Sequence, residues 1–126
     1  MNVLVDTSVW VAHFRQRDES LVALLNDGVV VCHPYVVAEI ACGTPPDRRG
    51  VIQMLSDLEL ATVATHDEVL ALIERQVLYG KGCGLVDLSL LASTLLTQYT
   101  QLWTLDVRLM KVAAVLDRAY MPIRQH

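Results

Sequence analysis

Short runs of apolar residues alternate along this chain with longer segments in which apolar side chains recur every three or four positions. The short runs predict strands, because a strand of a parallel sheet that is covered on both faces is apolar throughout. Predicted strands cover residues 3–5, 29–32 and 101–104. Residues 120–123 are expected to add an edge strand, where the proline at position 122 is tolerated.

Capping and breaking residues delimit the predicted helices. Asp18 and Asp47 are candidate N-caps, and Thr65 with Glu68 forms a capping box. The predicted helices run over residues 9–14, from Asp18 to a stop at Gly28, over 34–43, from Asp47 onward, from His66 to Gly80, and over 87–97 and 107–118. Strands that alternate with helices predict an α/β fold with a parallel sheet, in which ligands bind beyond the carboxyl ends of the strands.

Composition and charge narrow the class of protein. A chain of 126 residues has room for one domain, which we expect to span residues 1–126. Its 53% of hydrophobic residues exclude a disordered chain. Ten Lys and Arg stand against fourteen Asp and Glu, and the net charge of -4 excludes a protein that coats nucleic acid or anionic membrane through bulk charge. The high apolar fraction of so small a domain favours a homodimer.

Neither a membrane span nor a signal peptide is expected. The longest charge-free stretch, residues 88–105, contains several Ser, Thr and Gln residues and is interpreted as two elements joined by a turn. The N-terminus has no basic region and only a short apolar run. Three cysteines without a Cys-x-x-Cys pair favour free thiols in a reducing cytoplasm.

Four carboxylates occupy apolar settings, whereas the other acidic residues fall at caps, turns or polar helix faces. They are Asp6, Glu39, Asp87 and Asp106. Taken singly, the three aspartates have an ordinary explanation, since each precedes a predicted helix and is a candidate N-cap. Glu39 lies inside a predicted helix between apolar neighbours and has no basic residue within a turn, although it could still face solvent.

Taken together, the four carboxylates predict a metal site. Asp6 and Asp106 follow the ends of predicted parallel strands, and Glu39 and Asp87 lie early in helices that can reach the same edge of the sheet. Clustered carboxylates repel one another, and a divalent cation supplies the missing counter-charge. Oxygen ligands without neighbouring His or Cys favour Mg²⁺ or Mn²⁺ over Zn²⁺.

Four sequence blocks resemble the PIN-domain ribonucleases, and specifically the VapC-type toxins of bacterial toxin–antitoxin pairs. In chain order the blocks read LVDTSVW at 4–10, PYVVAEI at 34–40, GLVDLSLLAS at 84–93 and LWTLD at 102–106. Each block is weak alone, but their order and the total length make the resemblance specific. It covers almost the whole chain.

The resemblance implies a PIN-like three-layer sandwich, with a short and mainly parallel sheet flanked by helices, that forms a homodimer. It also implies endonucleolytic cleavage of RNA with Mg²⁺ or Mn²⁺, and inhibition by a cognate VapB-like antitoxin. The acidic quartet of the family falls on Asp6, Glu39, Asp87 and Asp106, and its supporting hydroxyls fall on Thr7 or Ser8 and on Thr104. Some relatives carry a further acid shortly after the fourth, whereas Val107 follows Asp106 here, which leaves a second metal open.

RNA binding must come from local basic residues, because the ten acidic residues outside the quartet balance the ten basic residues in charge. Arg108 and Lys111 are the best candidates, because they fall in the first turns of the helix after Asp106. Their alternative interpretation is that of solvated surface charges.

Four alternative functions make different demands on the sequence. A phosphoaspartate receiver domain requires an acidic pair after the first strand and a late lysine, and both are missing. A haloacid-dehalogenase phosphatase requires a second aspartate two residues after Asp6, where Ser8 stands. A housekeeping PIN-domain nuclease for RNA processing and a catalytically silent PIN binding module both stay open.

Overall fold

The computed structural model describes residues 1–123, which form four strands and seven helices. The strands are β1 (Asn2–Val5), β2 (Val30–Cys32), β3 (Glu59–Leu60) and β4 (Thr100–Trp103). The helices are α1 (Thr7–Arg15), α2 (Glu19–Asn26), α3 (Pro34–Ala41), α4 (Arg48–Asp57), α5 (His66–Arg75), α6 (Leu85–Leu96) and α7 (Val107–Val115). The α/β class predicted from the sequence is confirmed.

All four strands are parallel and lie in the order β3-β2-β1-β4. The chain moves from β1 to β2 to β3 in one direction and then returns past them to β4. Right-handed crossovers therefore place α1 to α4 on one face of the sheet and α5 and α6 on the other. The contacts agree, since α1 packs on α3, α3 on α4, and α5 on α6. Helices, sheet and helices make three layers.

The core explains why the strands are apolar throughout. Val3, Leu4 and Val5 of β1 are all buried, because this central strand has helices on both of its faces. Trp10 of α1 and Trp103 of β4 are each only 1% exposed, so both tryptophans belong to the core.

The register of β1 and β4 brings the end of each strand to the same edge. Val5 pairs with Trp103, and the N–H of Asp6 donates to the carbonyl of Trp103 at 2.9 Å. The residues that follow these two strands, Asp6 and Thr104, therefore stand side by side.

Several expectations about elements were wrong. Strand β3 was not predicted, because its two residues, both exposed, are too few to show a hydrophobic period. The expected edge strand at residues 120–123 does not form: the chain there makes one isolated bridge, between Leu102 and Ala119. Asp47 precedes α4 in a left-handed conformation, and its side chain makes no capping hydrogen bond. Helix α6 begins at Leu85, two residues earlier than expected.

Within residues 1–123, no helix is both long and apolar enough to cross a membrane.

Candidate active site

Asp6 is the most constrained carboxylate at this edge. It is the N-cap of α1 and is 5% exposed. Its Oδ1 accepts a hydrogen bond from the N–H of Thr7 at 2.8 Å. Its Oδ2 accepts two, from the hydroxyls of Ser8 at 2.7 Å and Thr104 at 2.8 Å. A carboxylate oxygen has two lone pairs, so Oδ2 is saturated and Oδ1 retains one free lone pair.

Thr104 connects Asp6 to Asp106. Its hydroxyl donates to Asp6 and accepts from the N–H of Asp106 at 3.0 Å. Asp106 in turn is the N-cap of α7, and its Oδ1 accepts from the N–H groups of Arg108 and Leu109 at 2.9 and 3.0 Å. The ordinary N-cap interpretation of both aspartates is therefore correct, and the same bonds orient the two carboxylates at one edge.

Ser8 supports the same pair of strand ends. Its hydroxyl donates to Asp6 and accepts from the N–H of Leu105 at 3.0 Å. The hydroxyls of Ser8 and Thr104 lie 3.4 Å apart, but each already directs its hydrogen at Asp6. Both supporting hydroxyls thus contact one carboxylate oxygen.

Glu39 reaches the site through Thr7. The Thr7 hydroxyl donates to Oε1 of Glu39 at 2.7 Å, while the Thr7 N–H donates to Asp6. Glu39 is exposed on α3, so its apolar neighbours in the sequence do not bury it. The alternative interpretation, that the carboxylate of Glu39 faces solvent, is correct for its exposure. Its hydrogen bond nevertheless connects Glu39 to the Asp6 network.

Asp87 lies in the first turn of α6, where its Oδ2 accepts from the N–H of Gly84 at 3.3 Å. Partial burial raises the pKa of Asp87, and the negative charges of Asp6 and Asp106 raise it further, against the lowering effect of the Gly84 bond. The three aspartates are therefore close enough for their charges to interact.

The four carboxylates fit a hydrated divalent cation better than a closed cage of ligands. In residues 1–123, no three His, Cys, Asp or Glu side chains are grouped so that they could hold a metal ion. Glu39, Asp87 and Asp106, however, each keep one carboxylate oxygen without a hydrogen bond from the described chain. Mg²⁺ commonly retains several waters and takes only one or two protein carboxylates, which suits this oxygen-only set.

No basic side chain forms an ion pair with these carboxylates within the described part of the chain. The one ion pair between residues of the range 1–123 joins Arg17 to Glu19, away from this edge. This local excess of negative charge, in addition to the carboxylate oxygens without hydrogen bonds, favours a bound cation at this edge.

Of the two basic candidates, the structure places one near the carboxylates. Partial burial raises the pKa of the Cys83 thiol. The negative charges of Asp87 and Asp106 raise this pKa further, and the guanidinium of Arg108 lowers it. Arg108 thus lies near the same thiol as two of the acids. Lys111 is exposed one turn further along α7 and has no hydrogen bond or ion pair within residues 1–123.

His33, directly before α3, supports the site from within the fold. It is completely buried and is the N-cap of α3, accepting from the N–H of Tyr35 through Nδ1 at 3.0 Å. Nε2 lies 3.0 Å from the hydroxyl of Ser93. Because Nδ1 accepts, the ring is neutral and Nε2 is the donor. Burial lowers the pKa of His33. The His33 cap fixes the start of α3, the helix that carries Glu39.

The PIN domain family model matches residues 3–115. The chain belongs to the PIN domain family. This PIN domain is 46% identical over 112 residues to proteins named Ribonuclease VapC32 from two strains of Mycobacterium tuberculosis, CDC 1551 / Oshkosh and ATCC 25618 / H37Rv. The match covers 89% of this chain and 90% of each relative. The resemblance to VapC-type PIN ribonucleases is therefore confirmed.

A solved structure shares the fold of this PIN domain. It is VapBC-1 from nontypeable Haemophilus influenzae, with a TM-score of 0.69 and 15% identity, covering 97% of this chain and 98% of the other. At this identity the likeness concerns the fold, and it confirms the PIN-like sandwich.

Proposed function

We propose that this PIN domain is a metal-dependent endoribonuclease and the toxin of a toxin–antitoxin pair. The single observation that carries the proposal is the Asp6–Thr104–Asp106 network, which orients two carboxylates at the carboxyl ends of neighbouring parallel strands. Its likeness to a relative named as a ribonuclease supports the nuclease activity. The toxin role is supported by the VapC name of that relative and by a structural neighbour that is a VapBC assembly.

The carboxylates have distinct tasks in this proposal. Asp6 and Asp106 would hold a Mg²⁺ or Mn²⁺ ion through the oxygen positions that the fold leaves free, and Asp87 and Glu39 would complete the negative site around it. A bound divalent ion at a phosphodiester orients water, lowers its pKa and offsets charge on the phosphate and leaving oxygen. Attack by water leaves a 5′-phosphate and a 3′-hydroxyl. Ser8 and Thr104 keep Asp6 in one orientation throughout.

The partners follow from the same proposal. They are an RNA substrate, a cognate VapB-like antitoxin and a second copy of the chain in a homodimer. A cytoplasmic location agrees with the three free cysteines, Cys32, Cys42 and Cys83. Light scattering of the chain alone and after co-expression with a candidate VapB-like antitoxin would report both assemblies.

Cleavage of cellular RNA by the purified protein tests the activity. The wild type should cut RNA in Mg²⁺ or Mn²⁺ and stop in chelator. Asp6→Asn should abolish cleavage, and Asp57→Asn, which neutralises an exposed aspartate at the end of α4, should cut like the wild type. Equal cutting by Asp6→Asn and wild type contradicts the assignment, and a folded wild type that cuts nothing favours the silent binding module.

Growth separates a toxin from a housekeeping nuclease. Induction of the wild type without a partner should arrest growth, and induction of Asp6→Asn should not. Normal growth together with cleavage in vitro would favour the housekeeping PIN-domain nuclease.

A further inference from the structure

The loop between α5 and α6 lies against the side chain of Arg108 in the first turn of α7. Gly82 has a φ of +82°, and a Cβ atom at this position would lie 2.6 Å from Cδ of Arg108, 3.1 Å from Nε and 3.2 Å from Nη1. Side-chain Cβ atoms essentially never approach another heavy atom closer than 3.0 Å. Any residue other than glycine at position 82 would therefore displace the Arg108 side chain.

The guanidinium that lies against this glycine has no anionic partner within residues 1–123 and is available to bind one. Arg108 makes no ion pair and no side-chain hydrogen bond within residues 1–123, although it lies near the same Cys83 thiol as Asp87 and Asp106. All five N–H donors of its fork are therefore available. A guanidinium fork matches the oxygen geometry of a phosphate group.

The surroundings select the kind of anion. A free small anion next to the acidic edge would be repelled by three aspartates, so a bound phosphate needs further anchoring elsewhere. A polynucleotide supplies it, because neighbouring phosphates are tied to one another by the chain. Arg108 would then bind one phosphate of the RNA, while the adjacent phosphate lies at the acidic edge.

We propose that Gly82 is a positioning residue for Arg108, and that Arg108 binds the RNA backbone phosphate next to the bond that is cleaved. The inference rests on the proposed nuclease function and specifies how the substrate is held. Gly82 acts only through Arg108, because its missing side chain leaves the space that Cδ, Nε and Nη1 of Arg108 lie against.

Salt dependence of binding tests the phosphate contact. The probe is a mixed-sequence single-stranded RNA bound to the Asp6→Asn protein between about 50 and 200 mM salt, since each phosphate contact to a single strand contributes about 0.7 to the slope of log K against log salt. Adding Arg108→Ala should lower the slope by about 0.7, whereas Arg108→Lys should keep it. Arg49→Ala, which removes an exposed arginine on α4, is the matched control and should leave it unchanged. Equal slopes for Arg108→Ala and Arg49→Ala overturn the contact.

The positioning role has its own matched pair. Gly80 lies in the same loop with a φ of +72°, but a Cβ atom there would meet nothing within 4 Å. Gly80→Ala and Gly82→Ala therefore share the backbone strain, and only Gly82→Ala displaces Arg108. We expect similar drops in Tm for both variants.

The decisive comparison is RNA cleavage, measured in proteins that retain Asp6. Gly82→Ala should lower kcat/KM about ten- to hundredfold, mostly through KM, as expected for loss of a charged hydrogen bond, while Gly80→Ala should stay near wild type. In an Arg108→Ala background, Gly82→Ala should cause no further loss. Additive losses, or equal losses for the two glycine variants, overturn the positioning role.

The two levels of failure are distinguishable. A folded wild type that cleaves no RNA contradicts the proposed function, and this inference falls with it. A wild type that cleaves RNA, with unchanged salt slope in Arg108→Ala, contradicts this inference alone.

Discussion

The Thr104 hydroxyl donates a hydrogen bond to Oδ2 of Asp6 at 2.8 Å, across 98 positions of sequence. The hydroxyl oxygen of Thr104 in turn accepts a hydrogen bond from the N–H of Asp106 at 3.0 Å. One hydroxyl therefore joins the carboxylate of Asp6 to the backbone of Asp106, two residues that follow neighbouring strands, and Thr104 is only 1% exposed. The candidate site is assembled at the carboxyl edge of the sheet, where β1 and β4 lead into the helices capped by Asp6 and Asp106.

Removing that hydroxyl should cost stability and activity together. Thr104→Val keeps the shape of the side chain but leaves the buried Asp6 with one donor fewer and the N–H of Asp106 without its acceptor. We expect a loss of about 1–3 kcal/mol in the free energy of unfolding, measured by urea denaturation, and slower RNA cleavage. Thr104→Ser, which keeps the hydroxyl, should lie closer to wild type. Equal effects of the two variants would show that the methyl group matters more than the hydrogen bonds.

Neutralising Asp87 should stabilise the metal-free protein. Burial and the charges of Asp6 and Asp106 raise the pKa of Asp87 above its ordinary 3.8, so the folded state disfavours its ionised form. A carboxyl whose pKa is raised on folding makes stability fall as pH rises through that range. In chelator at pH 7, Asp87→Asn should therefore melt higher than wild type, by ~2 °C. An unchanged or lower Tm, with Asp57→Asn as the reference, would contradict repulsion at this site.

Adding Mg²⁺ should reverse that order. A cation that binds only the folded state stabilises it in proportion to its occupancy. The Tm of the wild type should rise with Mg²⁺ concentration, and the Tm of Asp87→Asn should rise less, because one of its charges is gone. Calorimetric scans at several Mg²⁺ concentrations would show this, and identical increments for both proteins would exclude Asp87 from the metal site.

Glu39 should contribute to cleavage and little to stability. Its side chain is exposed, and among residues 1–123 the hydrogen bond it accepts comes from Thr7. Glu39→Gln should reduce the cleavage rate by about tenfold or more, since it removes one charge from the metal site, and should leave the Tm within ~2 °C. Glu74→Gln changes an exposed glutamate on α5 and serves as the control. Full activity of Glu39→Gln would remove Glu39 from the site.

His33 should make the fold sensitive to mild acid. Burial lowers its pKa below the ordinary 6.5, so the unfolded chain binds a proton more readily than the folded one. Its contribution to stability is therefore fully present above pH 6.5 and is lost as pH falls toward the lowered pKa. Protonation also removes the Nδ1 lone pair that caps α3. The unfolding free energy of wild type should drop between pH 7 and 5.

The controls for that prediction are two histidine variants. His33→Asn retains an N-capping side chain that does not titrate, so its stability should depend less on pH in this window. His66→Gln, which removes an exposed histidine in α5, should keep the wild-type pH dependence. A wild-type slope in His33→Asn would assign the effect to other groups.

Much of this arrangement could be predicted from local sequence. Val3, Leu4 and Val5 predict a strand covered on both faces, and Asp6 directly after them must stand at its carboxyl end. The same reasoning places Asp106 beyond β4. Those predictions depend on neighbours within a few residues, and the parallel topology then brings strand ends together without further information.

Elements with little local signal were missed. Strand β3 consists of Glu59 and Leu60, and it exists because the backbone of β2 offers hydrogen bonds to it rather than because of its own side chains. The last residues of the described chain showed a strand-like pattern, but within residues 1–123 their pairing with β4 is confined to the Leu102–Ala119 bridge, with one bond from Leu102 to Arg118 and one from Tyr120 to Leu102, so a strand does not develop.

The sequence by itself determined the α/β class, the family and the four acidic positions, because these follow from local periodicity, caps and short motifs. The tertiary structure alone decided which side chains orient them: Thr7 bonds Glu39, Thr104 bonds Asp6, and Ser93 lies against His33. It also placed Gly82 against Arg108. These contacts join residues far apart in the chain, and their distances depend on how helices pack on the sheet, which periodicity along the chain does not specify.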